Sequence, residues 1–238
     1  MNRSNIEWCQ WTWNPVTGCK HGCPYCYARG IARRFPKAFP NGFEPTFHES
    51  RLDEPEKLKK PAHIFAVSMG DLFGEWVPKE WIERVVGVIH GCPQHTFTVL
   101  TKNPRRAVDW FADKPSPRNL MIGTSIVGAD PEQEGFRLDA MSAVKGRRVL
   151  SVEPMLGEVV GDGYLISNPD DRWNWLIIGG QTGARKFQPP TEWVTPLVEW
   201  ARGNGIPVFL KDNLGYPEVI KEYPAGVPHD TRTERSNK

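Results

Sequence analysis

Ten residues carry most of the chemistry in this chain: Gly18-Cys19-Lys20-His21-Gly22-Cys23-Pro24-Tyr25-Cys26-Tyr27. Three cysteines at spacing CxxxCxxC let three thiolates fold back onto one small object, and thiolates are soft ligands, so that object is a zinc ion or an iron–sulfur cluster. Zinc would take Cys19, Cys23 and Cys26 with His21 as the fourth ligand. Against zinc, its small sites usually bring ligands in two separated pairs. All three cysteines here share one loop, and His21 lies between two of them, where closing a tetrahedron is awkward. A disulfide fits less well, because the N-terminus Met1–Glu7 has no apolar signal segment. A four-iron, four-sulfur cluster held by three cysteines keeps one iron open, and an open iron is a place for chemistry. Cys9 and Cys92 are isolated and read as packed or structural, and the six histidines form no ligand cluster.

The elements that must hold this loop can be read from apolar runs. Ile6 to Thr17, rich in Trp, Val and Thr, predicts a first strand, bent or ended near Asn14-Pro15. The cysteine loop follows, then a helix from Tyr27 to Phe35, stopped by Pro36. Residues 36–61 are rich in Pro, Phe and charge. They predict an irregular insertion, either a lid or a surface wrap, with a short extended piece at Phe43–Phe47 and a short helix at Leu52–Lys59.

From Pro61 on the pattern is regular. Strands are expected at His63–Ser68, Thr96–Thr101, Leu120–Ser125, Arg148–Glu153, Trp175–Gly180 and Pro207–Lys211. Helices are expected at Glu80–His90, Arg105–Phe111, Phe136–Val144 and Trp193–Ala201. Strand recurs at roughly 30-residue intervals, the length of a βαβ unit. The runs are continuously apolar, as when helices cover a parallel sheet, so the fold class is α/β. Six to seven parallel strands suit either an open sheet or a partial barrel, and in both the site lies at the strands' C-terminal ends. Those ends carry Ser68-Met69-Gly70-Asp71, Thr101-Lys102-Asn103, Thr124-Ser125, Glu153-Pro154, Gly179-Gly180-Gln181-Thr182-Gly183 and Lys211-Asp212-Asn213. One polar residue after an apolar run merely marks where a strand meets water. A whole series on the side of the cysteines favours a site. The glycine turn at 179–183 lacks the Lys-Ser/Thr of a P-loop and a full GxGxxG.

The loop resembles that of the radical S-adenosylmethionine (radical SAM) enzymes, which carry CxxxCxxC with an aromatic residue before the last cysteine, here Tyr25. The wider stretches Trp13-Asn14-Pro15-Val16-Thr17-Gly18-Cys19 and Glu49-Ser50-Arg51-Leu52 with Pro55 and Lys60-Pro61 resemble the phage Gp37/Gp68-like, three-Cys-motif family (DUF5131), whose function is unknown. The resemblance implies a partial parallel (β/α) TIM-like barrel, a 4Fe-4S cluster on Cys19, Cys23 and Cys26, and SAM on the open iron. It implies a reductant such as flavodoxin or ferredoxin, and a partner protein encoded nearby is compatible with it. For SAM it suggests Asp71, in Met69-Gly70-Asp71 where the family often has Gly-Gly-Glu, for the amine. Ser125 would serve the ribose, with Thr101, Lys102 or Glu153 for carboxylate or ribose. Gly179 and Gly180 would lie beside the adenine, and Tyr25 against it.

The chain has 238 residues, 39% of them hydrophobic, and a formal net charge of +2. One large domain over 1–222 with a polar, loosely held tail over 223–238 is expected. No run spans a membrane, and the clustered cysteines suit a reducing cytoplasm. The small net charge gives no strong footprint for nucleic acid. Nucleic acid is nonetheless the substrate class favoured by the phage association, with a local basic face of Arg29, Arg33, Arg34, Lys57, Lys59 and Lys60. The alternative function is a zinc-stabilised binding module for nucleic acid or protein. A cluster used only for structure or electron transfer is a third.

Overall fold

The computed structural model describes residues 1–159, 173–183 and 186–230. The chain opens with β1 (Asn2–Arg3), which pairs antiparallel with β2 (Trp11–Trp13). β3 (Val16–Thr17) follows, then α1 (Tyr27–Arg34), then β4 (Thr46–Phe47), which returns to pair antiparallel with β3. After the one-turn α2 (Glu54–Lys57), strands and helices alternate. The order is β5 (His63–Ala66), α3 (Lys79–Gly91), β6 (Thr96–Thr101), α4 (Pro104–Trp110), β7 (Leu120–Ile126), α5 (Pro131–Ser142) and β8 (Arg147–Val152). β9 (Trp175–Ile178), α6 (Thr191–Gly203) and β10 (Val208–Leu210) complete it. The main sheet runs β1-β2-β5-β6-β7-β8-β9-β10, with every pair from β2 onward parallel. Apart from the β3–β4 pair set between β2 and β5, strand neighbours in space are neighbours in sequence, and the α/β fold is a partial barrel of seven parallel strands.

Period-2 alternation divides each strand between two apolar clusters. Ile64, Phe97, Ile122, Leu150, Leu176 and Val208 pack with the helix residues Val85, Ile89, Leu138 and Val198 on the outside. Phe65, Met121, Val149, Trp175, Ile177 and Phe209 pack with Trp8 and Val227 on the inside. Both faces are buried, which is why the strands read as unbroken apolar runs.

The structure departs from the sequence pattern at three places. The strand expected over 6–17, bent or ended near Asn14-Pro15, is broken there into two strands that belong to two sheets. Between them Asn14 turns its side chain onto the loop after β5, accepting from the Met69 N–H at 2.8 Å. Helix α5 starts five residues before Phe136, because Asp130 caps it by accepting from the Gln133 N–H at 3.0 Å and Pro131 fits the first turn. Phe136, which suggested an apolar face, is solvent-exposed. Finally, residues 223–230 are packed rather than loose. Tyr223 lies against Trp175 and Phe209, His229 stacks on Tyr223 at 4.3 Å, and Val227 is buried. The preceding stretch covers the free edge of β10: the Leu210 N–H donates to the Ile220 carbonyl and the Glu222 N–H to that of Val208, each at 2.9 Å. The rest of the predicted tail, 231–238, lies outside the described residues.

Candidate functional site

The cysteine loop hangs between β3 and α1, and its surroundings fix it at several points. The Gly18 N–H donates to the Met69 carbonyl at 2.9 Å and the Cys19 N–H to the Phe43 carbonyl at 3.2 Å. Gly18 holds φ at +88°, and a Cβ there would stand 2.2 Å from the Glu44 carbonyl oxygen, so only glycine permits this approach. The 36–61 insertion supplies the outer support. Its β4 pairs with β3, the His48 N–H donates to the Pro15 carbonyl at 2.7 Å, and the Trp13 indole N–H donates to the Arg51 carbonyl at 2.7 Å. At the loop's far end Cys26 caps α1, its sulfur accepting from the Arg29 N–H at 3.4 Å. The positive end of the helix dipole therefore faces a sulfur that is negative whenever it ligates a metal.

All three cysteines line one cavity of about 560 Å³ at the C-terminal mouth of the barrel. Tyr25, Asp71, Thr101, Lys102, Ser125, Glu153 and Gly180 line it too, so nearly every position singled out from sequence converges on one space. Gly179 is the exception: it is not on the lining, and its Cα packs where a Cβ would come within 2.8 Å of the Lys211 side chain and 3.2 Å of Glu153. Trp8, Phe65 and Leu100 give the cavity apolar walls from the barrel interior. Among the described residues, no three His, Cys, Asp or Glu side chains gather about a single ion position. The thiols border a space rather than a point.

The site's polar groups are of two kinds. Some are saturated. Asp71, almost fully buried, accepts from the Phe73 N–H at 3.0 Å through Oδ1. Its Oδ2 accepts from the Lys102 N–H at 2.9 Å and meets His21 Nε2 at 2.7 Å. Its carboxylate therefore ties the loops after β5 and β6 to the cysteine loop, and His21 sits edge-on to Trp76 at 4.8 Å. Glu153 and Lys211 form an ion pair across the mouth. The Thr101 hydroxyl accepts from the Asn103 N–H at 2.9 Å.

Other groups are left unpaired. Lys102 Nζ and Ser151 Oγ are buried and have no hydrogen-bond partner among the described residues. The Lys102 ammonium lies 5.4 Å from the Tyr25 ring centroid. Burial pushes its pKa down, with the Cys23 thiolate among the groups that oppose the shift. The Cys19 thiol is pushed up to about 12, chiefly by burial, against a hydrogen bond from the His21 backbone. An unpaired buried ammonium and hydroxyl are costly unless something in the cavity meets them.

Sequence reasoning missed Ser151 and the role of His21. Ser151 lies two residues before Glu153, so strand alternation from that residue signals that it faces inward. The His21–Asp71 contact joins positions fifty residues apart, and no local pattern encodes it.

A family model described as a protein of unknown function (DUF5131) matches residues 3–230. The chain belongs to the DUF5131 family. No curated protein shows a significant match to it. Solved structures of spore photoproduct lyase share its fold. One mutant form superposes with TM-score 0.53 at 11% identity, covering 74% of this chain and 57% of that one. A complex with dinucleoside spore photoproduct gives TM-score 0.50 at 12% identity, covering 85% and 55%. A second such complex, of a mutant, gives 0.50 at 13%, covering 64% and 47%. The DUF5131 chain thus spans about half the length of the structures it matches. Their fold is the TIM-like partial barrel of the radical SAM enzymes, and the likeness at this identity is one of fold. No helix among the described residues is long and apolar enough to cross a membrane.

Proposed function

We propose that this DUF5131 protein is a radical SAM enzyme whose Cys19, Cys23 and Cys26 hold a 4Fe-4S cluster at the barrel mouth. The observation that carries the reading is the single cavity lined by all three thiols, a buried unpaired ammonium (Lys102) and a buried unpaired hydroxyl (Ser151). The residues present fit the group. Three soft sulfurs border a space of about 560 Å³, which suits a cluster and a bound cofactor. Bound there, cluster and SAM supply a one-electron cleavage of the sulfonium that yields methionine and a 5′-deoxyadenosyl radical able to abstract hydrogen from a substrate.

The chain's own residues do the rest. Lys102 offers its ammonium to a carboxylate or to the negative cluster, either of which relieves its buried, unpaired state. Asp71 has its acceptors taken by His21, Phe73 and Lys102. Its contribution is therefore to fix the three loops around the cavity, and any contact to the SAM amine uses remaining lone-pair capacity. Ser125 and Ser151 offer hydroxyls for a ribose, and Gly180 lets this part of the wall pack against the Phe187 and Asn213 carbonyls, which a Cβ would meet at 2.9 and 3.1 Å. Trp8, Phe65 and Leu100 exclude water from the space where a radical would form.

The proposed substrate class is nucleic acid, supported by the fold shared with spore photoproduct lyase, two of whose matching structures hold a dinucleoside spore photoproduct. The test is anaerobic reconstitution with iron and sulfide, then dithionite and SAM, with 5′-deoxyadenosine read by chromatography. Its formation, lost on Cys23→Ala, supports the reading. A colourless protein holding stoichiometric zinc would replace it with the binding-module reading.

A further inference from the structure

Six large apolar side chains are exposed among the described residues, and three of them, Tyr27, Ile31 and Phe35, stand four residues apart along α1 and its C-terminal cap. Side chains at that spacing share one helix face. Gly30 and Arg34 belong to the same face and are exposed too. Nothing stands within 4 Å of where a Gly30 Cβ would be, so the middle of the stripe is flat and open. The opposite face is spent on packing, with Ala28 and Ala32 buried. Arg29 turns aside, its guanidinium over the Phe43 ring at 5.7 Å.

The stripe starts at the site. Tyr27 and Ile31 line the barrel cavity, and the Tyr27 hydroxyl donates to the Ser68 carbonyl at 2.6 Å, which fixes the ring at the rim. From there the stripe runs outward for about 12 Å, at 1.5 Å per helical residue, to Phe35, which is 54% exposed. Its surroundings are cationic. Between Glu7 and Glu44 the sequence holds no acidic residue, yet it carries Lys20, Arg29, Arg33, Arg34 and Lys37. Arg33, Arg34 and Lys37, which flank Phe35 in sequence, are all exposed.

Charge of one sign interleaved with apolar rings matches a polymer that carries one flat ring and one negative charge per unit, which is a nucleic-acid strand. A duplex hides its base faces in the stack, and a base inside the stack cannot enter a cavity at a barrel mouth.

We propose that the Tyr27–Phe35 face of α1 is a platform for a single strand of nucleic acid. A base stacks on Phe35, its phosphates meet Arg34 and Lys37, and the strand leads past Ile31 and Tyr27 to present a neighbouring nucleotide to the barrel cavity. The inference rests on the nucleic-acid substrate class above and narrows it to unpaired nucleotides.

The test uses the anaerobically reconstituted full chain and three fluorescein-labelled probes of equal length: oligo-dT, oligo-rU and a DNA duplex. Binding is read by fluorescence anisotropy over a range of salt. Wild type is expected to bind a single strand more tightly than the duplex, and the ratio of the two single strands shows whether DNA or RNA is preferred. Phe35→Ala should weaken binding by about tenfold without changing its salt dependence. Phe35→Tyr should bind as wild type. Phe35→Leu, which keeps apolar surface and loses the flat ring, should behave like Phe35→Ala. Arg34→Gln/Lys37→Gln should weaken binding and lower the slope of log Kd against log salt by about 1.4, at about 0.7 per lost phosphate contact. Arg118→Glu, an exposed change before β7 at the opposite end of the barrel, should leave binding unchanged. All of these variants should keep wild-type 5′-deoxyadenosine formation with dithionite.

The proposal is overturned if wild type binds neither single strand, if it binds the duplex as tightly, if Phe35→Leu binds like Phe35→Tyr, or if Arg118→Glu weakens binding as much as Phe35→Ala. Self-association lost on Phe35→Ala, without oligonucleotide binding, would give the face to a second copy of the chain instead. A wild type that makes no 5′-deoxyadenosine counts against the radical SAM reading alone, and the anisotropy comparison still decides the platform.

Discussion

Gly18 and Gly22 sit in the same cysteine loop with similar backbone angles, φ +88° and +75°, yet substitution should affect them very differently. At either position alanine enters the left-handed region, which costs about 1–2 kcal/mol. At Gly22 nothing lies within 4 Å of the added Cβ, so the cost ends there. At Gly18 the Cβ meets Glu44 O at 2.2 Å, Glu44 C at 2.4 Å and Pro45 N at 2.6 Å, all backbone. No side-chain rotation relieves that contact, so the Glu44–Pro45 segment must move, at a further cost of about 1–3 kcal/mol. The lost freedom of the unfolded chain returns at most about 1 kcal/mol. Gly18→Ala should therefore lower Tm by about 10 °C in a chain of this size, and Gly22→Ala by no more than about 4 °C. Far-UV circular dichroism melts read the shift. Iron content after reconstitution should fall for Gly18→Ala in parallel, because the displaced segment holds the Cys19 N–H. Equal melts for the two variants, or Gly18→Ala within about 2 °C of wild type, would refute the claim that close packing of the insertion fixes this loop.

Three further outcomes follow from the geometry. Asp71→Asn exchanges an acceptor for an amide among three donors, so it should cost about 2–4 kcal/mol in urea denaturation and weaken SAM retention in equilibrium dialysis. Glu134 is buried at the start of α5 and accepts from the Val127 and Gly128 N–H groups at 2.9 Å each. Glu134→Ala should destabilise by about 3 kcal/mol, and Glu134→Gln, which keeps one acceptor, by about half that. His63 is fully buried between β5 and β6, bonded to Thr98 Oγ1 at 2.8 Å, and burial lowers its pKa to about 3. A histidine held neutral in the fold binds its proton only when unfolded. Stability should thus fall as pH drops from 6.5 towards 3, by at most about 5 kcal/mol from this group. His63→Gln should flatten that part of the pH–stability profile, and an unchanged slope would show that other groups carry the acid loss.

How much of this was legible in the sequence depends on the range of the interactions involved. The strands from His63 to Lys211 announced themselves because burial on both faces makes each a continuous apolar run, and their polar ends marked the site. The β2–β3 break was legible at Asn14-Pro15, but what holds it was not, since Asn14 reaches Ser68 and Met69 across more than fifty residues. Residues 223–230 read as a polar tail because Tyr223, Val227 and His229 have no helical or strand period. They pack only because the barrel's lower end offers Trp175 and Phe209. The cysteines and Asp71 were visible as residue types at strand ends. The seating of the cysteine loop on the insertion required the fold, because Gly18 and Cys19 meet Glu44 and Phe43, residues far away along the chain.

The central claim is that Cys19, Cys23 and Cys26 hold a cluster that cleaves SAM, and 5′-deoxyadenosine formation tests it most directly. Anaerobically reconstituted protein, given dithionite and SAM, should produce it, and Cys19→Ala, Cys23→Ala and Cys26→Ala should each abolish it. Cleavage at the wild-type rate in any of the three variants would contradict the account.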